Sequence, residues 1–236
     1  MDAAGYTTLT RQSGLMREMQ TVANNIANIS TTGFRREGVI FSEYIRQMED
    51  EPSLSMARAS GRNIDLTQAG LTQTGGSFDL AIQGSGFFLI ETPQGERLTR
   101  AGSFTPSAEG ELVTPDGNRL LDLSGAPVFV PPTARTIAVG QDGTMSADGE
   151  PVARIGLWQA TDPTSLRHQS GTLFSATGVE PAETGIVMQG YLEDSNVEPV
   201  SEIARMITVQ RGYEMGQKFL EAEDERVRGV IQTLGR

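Results

Sequence analysis

The stretch Val22–Phe34, VANNIANISTTGF, lies where a helical pattern runs into a stop. It carries three asparagines, Asn24, Asn25 and Asn28. Asn is a mediocre helix former, because its amide competes for nearby backbone groups. The run closes on Ser-Thr-Thr-Gly, and Gly33 suits the left-handed residue that ends a helix. Either a solvated, frayed end or a surface built for a partner has this composition. The residues upstream favour the second. Residues 4–30 read as one helix, in which Leu9, Met16 and Ala23 alternate with Gln12, Met19 and Ile26 at spacings of three and four. That is a narrow a/d seam on an otherwise polar helix. A globular core wants a wider apolar stripe, so the seam calls for a partner helix. With Ala23 and Ile26 on the seam, the three asparagines fall beside it. They are expected to act as intersubunit hydrogen-bonding groups, since an amide donates and accepts at once.

The other end of the chain has the same character. A helical pattern runs from Asn196 to about Leu234, with Met206, Tyr213, Leu220, Val227 and Leu234 at intervals of seven. The second column is imperfect: Val209 and Val230 fit it, Gly216 and Glu223 do not. Pro199 suits the first turn, and Asn196 can cap it. Glu214–Lys218 and Asp224–Arg228 are i,i+4 pairs in the favourable order. At ~1.5 Å per residue such a helix is about 58 Å long, more than a small β-domain covers. The simplest closure pairs the two terminal helices as an antiparallel coiled coil, with Met206, Tyr213 and Leu220 against the N-terminal helix. Other faces then remain for neighbouring molecules.

Between the helices the pattern changes twice. Residues 34–75 are polar with short alternating pieces, and read as an extended or irregular connector in which a short helix fits Ser42 to Met48. Residues 76–190 carry recurrent apolar runs such as Leu80–Ile82, Phe87–Ile90, Val128–Val130 and Ile137–Val139. Asp116-Gly117, Asp142-Gly143 and Asp148-Gly149 punctuate them. Short strands at this spacing indicate an antiparallel all-β domain. The expected fold class is α+β: helices at residues 1–33 and 191–236 forming one coiled-coil-like domain, with a central all-β domain.

Composition narrows the function. The 236 residues carry a net charge of −11, and Lys218 is the only lysine, which argues against nucleic acid as a partner. There is no cysteine, hence no disulfide framework or thiolate chemistry. No basic n-region precedes an apolar run, and nothing is long enough to span a membrane. Taken alone this indicates a cytoplasmic protein, unless export uses a route without a cleaved signal. His168 has no second histidine to share a metal, and reads as a surface loop residue. Gly84-Ser85-Gly86 resembles part of a phosphate loop, but no helix and no Lys-Ser/Thr completes it, so a tight turn is the simpler reading. Glu193-Asp194 and the run Glu221, Glu223, Asp224, Glu225 read as solvated charges. Asp142-Gly143 and Asp148-Gly149 lack the full calcium-loop spacing. No enzyme, metal or cofactor is expected.

Four stretches together carry a resemblance. ANNIANISTTGFRR (Ala23–Arg36) resembles the N-terminal signature of the flagellar rod, hook and hook-associated proteins. DLAIQGSGFFLI (Asp79–Ile90) and LTRAGSFTPSAEGELVTPDGNRLL (Leu98–Leu121) are similar to the family's central motifs. GYLEDSNVEPVSEIARMITVQRGYEMGQK (Gly190–Lys218) resembles its C-terminal signature. The resemblance implies a structural subunit that polymerises helically into a hollow rod crossing the periplasm, exported unfolded through the flagellar type III apparatus without a cleaved signal. Its partners would be itself and other rod subunits, proximal and distal. Its terminal helices would form the inner tube and its β-domain the outer layer. The assembly residues so implied are Leu9, Met16, Met19, Ala23, Asn24, Asn25, Ile26, Asn28, Gly33 and Phe34 at one end. At the other they are Ser195, Asn196, Val197, Met206, Gln210, Arg211, Tyr213, Leu220 and Val227. The short connector and the Ser-Asn-Val-x-Pro-Val form at Ser195–Val200 resemble a proximal-rod member first and the distal-rod protein second.

Overall fold

A computed structural model describes residues 3–46 and 54–234. It is α+β, with helix α1 at Ala3–Ala27, helix α2 at Pro199–Leu234 and strands between them. The chain forms two compact units. One comprises Met1–Ala27, Glu37–Asp65 and Glu198–Arg236, the other Asn28–Arg36 and Leu66–Val197.

In the first unit, α1 stops at Ala27, earlier than the sequence pattern predicts. Asn28 is the reason. Its carbonyl accepts from the Thr31 N–H at 3.2 Å and its side-chain oxygen from the Thr31 hydroxyl at 3.0 Å, so the backbone leaves the helix in a turn. After the turn, strand β1 (Glu37–Arg46) pairs antiparallel with β2 (Leu54–Ile64), with a register shift at Ile40/Phe41. A short helix was the expectation at Ser42–Met48; Ser42–Arg46 is strand, and Gln47 and Met48 lie outside the described residues. The segment Val39-Ile40-Phe41 is β-branched and aromatic, and its pairing partner comes later in the chain, where local periodicity does not reveal it.

The two helices of this unit touch along a face that only partly overlaps the predicted one. Leu9, Met16 and Ala23 are exposed, whereas Val22 and Asn25 are buried. On α2, Glu202 and Val209 are buried while Val227 is exposed. The contacts run antiparallel: Asn25 meets Glu202, Glu18 meets Arg205 at 2.8 Å, and Gln12 Nε2 donates to the Tyr213 carbonyl at 3.1 Å. A Cβ on Gly212 would lie 3.6 Å from Leu15, and one on Gly216 only 2.9 Å from Gln12. The contact face is therefore Gln12, Leu15, Glu18, Val22, Asn25 against Glu202, Arg205, Val209, Gly212, Gly216, and of the predicted α1 seam only Gln12 is part of it. Gly216 looked like a defect in an apolar column; it is where α1 comes close. Pro199 opens α2, but Asn196 does not cap it. The Glu198 carboxylate does, accepting from the Ser201 N–H at 2.6 Å. Asp224–Arg228 pairs at 2.8 Å as its spacing predicts, while Glu214 accepts from Gln210.

The second unit holds the short strands, in chain order β3 (Leu71–Gln73), β4 (Leu80–Gln83), β5 (Phe88–Thr92), β6 (Gly95–Thr99), β7 (Thr105–Pro106), β8 (Leu112–Val113), β9 (Arg119–Leu120), β10 (Ile137–Val139), β11 (Thr144–Ala147), β12 (Glu150–Arg154), β13 (Trp158–Ala160), β14 (Arg167–His168), β15 (Leu173–Ser175), β16 (Val179–Pro181), β17 (Ile186–Gln189) and β18 (Tyr191–Glu193). Seven of them form one sheet in the order β14-β15-β6-β5-β9-β8-β7. The others pair as β10-β11-β12, β13-β16, β17-β4 and β18-β3, all antiparallel. The β11–β12 turn is Asp148-Gly149, both with positive φ, as a tight hairpin demands. The predicted run Val128–Val130 makes only isolated bridges, through Phe129 and its neighbour Pro127, yet Val128 and Val130 still point into the core. That core also buries Leu80, Ile82, Phe88, Phe104 and Leu120. Each fully buried side chain of this size contributes about 1.5–3 kcal/mol.

Candidate assembly interface

Two buried polar joints hold the signature segments in place, one in each unit. In the first, Asn25 is fully buried. Its Nδ2 donates to the Glu37 carbonyl at 2.8 Å and to Glu202 Oε2 at 3.1 Å, and its Oδ1 accepts from the Glu37 N–H at 3.0 Å. One amide thus ties α1 to the start of β1 and to the first turns of α2. Only a side chain that donates and accepts can do this, which explains an Asn where helix propensity favours Ala or Leu.

The second joint is ionic. Glu193, at the end of β18, is 0% exposed and receives Arg35 Nη2 at 2.8 Å, Arg100 Nη1 at 3.0 Å and the Ala69 N–H at 3.0 Å. Arg35 also donates to the Thr67 carbonyl, and Arg100 to the Gly84 carbonyl, both at 2.7 Å. Arg100 lies 5.3 Å above the Phe87 ring. Burial pushes the Arg100 guanidinium down to about 10; Glu193 opposes the shift and Arg35 adds to it. It therefore stays charged at neutral pH. Gly33 makes the joint possible. Its φ is +71°, its N–H donates to the Glu193 carbonyl at 2.7 Å, and a Cβ there would fall 2.3 Å from the Ala101 nitrogen. Beside it, the Asn196 carboxamide accepts from the Arg36 N–H at 2.6 Å and donates to the Thr67 carbonyl at 3.0 Å. Asn196, from the C-terminal signature, is hydrogen-bonded to the N-terminal one. Phe34 is fully buried, edge-on to His168 at 5.6 Å, and His168 in turn packs on Phe174 at 5.3 Å. His168 is accordingly a half-buried strand residue in an aromatic group, not a surface loop residue.

The predicted assembly residues divide by location. Gly33, Phe34, Asn196 and Val197 are brought together inside the second unit, with Ser195 accepting from the Val197 N–H. Asn25 is consumed inside the first unit, so its amide does not face a neighbouring molecule as expected. Asn28 serves its own turn, and Asn24 is half-buried and engaged. Leu9, Met16, Ala23, Gln210, Arg211 and Val227 are exposed, and Met19, Ile26, Met206, Tyr213 and Leu220 are half-buried.

Sequence reasoning missed the charged members of both joints. Glu193 was expected to be solvated, and only its neighbour Asp194 is exposed. Arg35, Arg100 and Glu202 carried no periodic signal, because partners 93 to 177 positions apart leave none, and Glu37 meets Asn25 12 positions away, across the end of the helix. The one available hint was position: Arg35 and Glu37 flank the Gly33 turn. Among the described residues no group of three or more His, Cys, Asp or Glu could hold a metal, and no helix is long and apolar enough to cross a membrane.

Comparison with known proteins accounts for the segments so joined. Residues 6–35 match the family "Flagella basal body rod protein", residues 81–147 "Flagellar hook protein FlgE/F/G D1 domain" and residues 188–233 "Flagellar basal body rod FlgEFG protein C-terminal". The flagellar basal-body rod protein FlgF of Caulobacter vibrioides is 37% identical over 243 residues, covering 100% of this chain and 99% of its own. FlgF of Mesorhizobium japonicum is 35% identical, with 98% and 97% covered. The rod protein FlgG of Agrobacterium fabrum is 34% identical, with 92% and 93% covered. Asn25 and Arg35 lie in the first of these matches, Arg100 in the second, and Glu193 and Glu202 in the third, and a likeness running through the whole length places the chain in the flagellar basal-body rod protein family.

Proposed function

We propose that the chain is a structural subunit of the bacterial flagellar basal-body rod that polymerises through its terminal helices. The observation that carries the polymerisation is the state of α2. It is 36 residues long, about 54 Å at 1.5 Å per residue. Its face toward α1 carries Glu202, Arg205, Gly212 and Gly216 with Val209 the apolar residue buried there, whereas Val200, Ile203, Ile207, Val230 and Ile231 are exposed, Val200 by 73%. A helix showing this much apolar surface outside its intramolecular contact calls for covering neighbours. In this reading α1 and α2 pair as an antiparallel coiled coil, residues 1–33 and 191–236 build the inner tube, residues 34–75 connect the layers, and residues 76–190 build the outer layer. The shaft so formed is hollow, conducts exported subunits and transmits torque. Its partners are further copies and other rod subunits. The chain reaches the periplasm through the type III export apparatus without a cleaved signal. A FlgF-like, proximal position is favoured over a FlgG-like one by the slightly fuller match to FlgF proteins.

The test is to purify basal bodies and identify this chain in the rod by mass spectrometry, beside the double variant Ile203→Asp/Ile207→Asp. The expected result is wild-type chain in the rod, and a variant that folds but is absent from it. A rod without the wild-type chain, or normal incorporation of the variant, overturns the reading.

A further inference from the structure

The joint at Glu193 is not electrically balanced. Two guanidinium groups, Arg35 and Arg100, share one carboxylate. They are 1% and 4% exposed, and the Nε of each has no hydrogen-bond partner. Buried charge is costly unless it is paired and hydrogen-bonded, so a surplus positive charge held this way is a place for an anion. The same two arginines line a cleft of about 300 Å³ in the second unit. Its wall includes the Gly84-Ser85-Gly86 turn. The exposed Ser85 hydroxyl makes no side-chain hydrogen bond among the described residues. Leu66, Phe87 and Leu166 supply apolar surface beside these donors. Glu180 also lines the cleft; it is exposed and accepts from Gln159 at 2.9 Å, with no ion pair to either arginine.

We propose that this cleft is a binding site for a monocarboxylate, with Arg100 and Ser85 as donors and Leu66, Phe87 and Leu166 around its carbon stem. The surplus within the buried joint is one positive charge, which a single carboxylate neutralises, with the exposed Glu180 on the wall opposing it. A dianionic phosphate would exceed it and meet Glu180 besides. The walls are partly apolar, which suits a short aliphatic stem better than bare inorganic ions. The chemistry fits a free small carboxylic acid or the side chain of Glu or Asp from a second copy. The site does not depend on the assembly reading, since it rests on charge and shape within one unit.

The experiment is calorimetric titration of the full chain with propionate at constant ionic strength, with propionamide as the neutral control. Trp158 is the only tryptophan and its backbone pairs with Phe87, so its fluorescence gives a second readout. The expected result is saturable one-site binding of propionate and none of propionamide. Arg100→Gln should abolish binding. Because that change removes a buried ion pair, the exposed Glu180→Gln carries the test if Arg100→Gln does not fold; it should tighten binding about threefold by removing a nearby like charge. Absence of saturable propionate binding, equal binding of propionamide, or no change in Glu180→Gln overturns the proposal. Sedimentation with and without saturating propionate then separates the sources. Weakened self-association assigns the carboxylate to a second copy, and unchanged sedimentation assigns it to a free acid; either supports the site.

Discussion

Asn25 and Glu202, 177 positions apart in sequence, meet at 3.1 Å with neither side chain reached by solvent. The contact favours one register between α1 and α2, because a one-turn slip would break this hydrogen bond in a place closed to solvent.

Asn25→Ala removes three hydrogen bonds and strands the Glu37 N–H and part of the Glu202 carboxylate. The expected loss is about 2–4 kcal/mol in the first unit. Asn25→Asp should cost more, since it sets two carboxylates together out of water. Chemical denaturation followed by helical circular dichroism checks this, as both helices belong to that unit. Wild-type stability in either variant would contradict the joint.

Glu193→Gln keeps shape but leaves Arg35 and Arg100 without their shared counter-charge. Breaking a buried pair in this way costs roughly 3–5 kcal/mol. Trp158 lies in the same unit, so its fluorescence during urea unfolding reports the change. A shift of less than 1 kcal/mol would mean that the cluster is solvated.

Gly33→Ala meets two obstacles, a left-handed φ of +71° and backbone atoms of Arg100 and Ala101 within 2.6 Å of the new Cβ. Gly117 has φ +81° with nothing within 4 Å. Gly117→Ala should therefore cost only the backbone strain, about 1–2 kcal/mol, and Gly33→Ala distinctly more. Thermal unfolding of the two variants side by side isolates the steric part. Equal melting temperatures would show that the close approach at Gly33 is unimportant.

The Glu198 carboxylate is held below the usual glutamate value, chiefly by the Ser201 hydroxyl and then by the Ser201 N–H. A depressed folded-state value means that the cap's contribution is full above the ordinary value of 4.5 and is lost as pH falls through the depressed one. The Ser201 amide resonance should accordingly titrate with a midpoint below 4.5, and Glu198→Gln should remove that titration. A midpoint at or above 4.5 would show that Glu198 does not cap α2.

The contact face of α2 shows how far periodicity reaches. The column Met206, Tyr213, Leu220, Val227 is real, and it identifies a long helix. It does not identify what the helix touches, because its Tyr213 contacts α1 through the backbone carbonyl while Glu202, Gly212 and Gly216 form the contact. Small and charged residues are invisible to an apolar template, although close helix approach needs the former and a buried amide needs the latter.

From the sequence by itself came the terminal helices, the antiparallel strands with their Asp-Gly turns, the Gly33 stop and the four signatures of the family. These are local matters: hydrophobic period, backbone permissiveness and residue order are written within a few positions of one another. Tertiary structure alone decided that Glu37–Arg46 and Leu54–Ile64 pair as antiparallel strands, that Asn25 is an internal joint, and that Glu193 is buried between two arginines. Each of those depends on a partner distant in the chain. The burial of a charge is settled by whether that partner arrives, and nothing in the neighbouring residues records it.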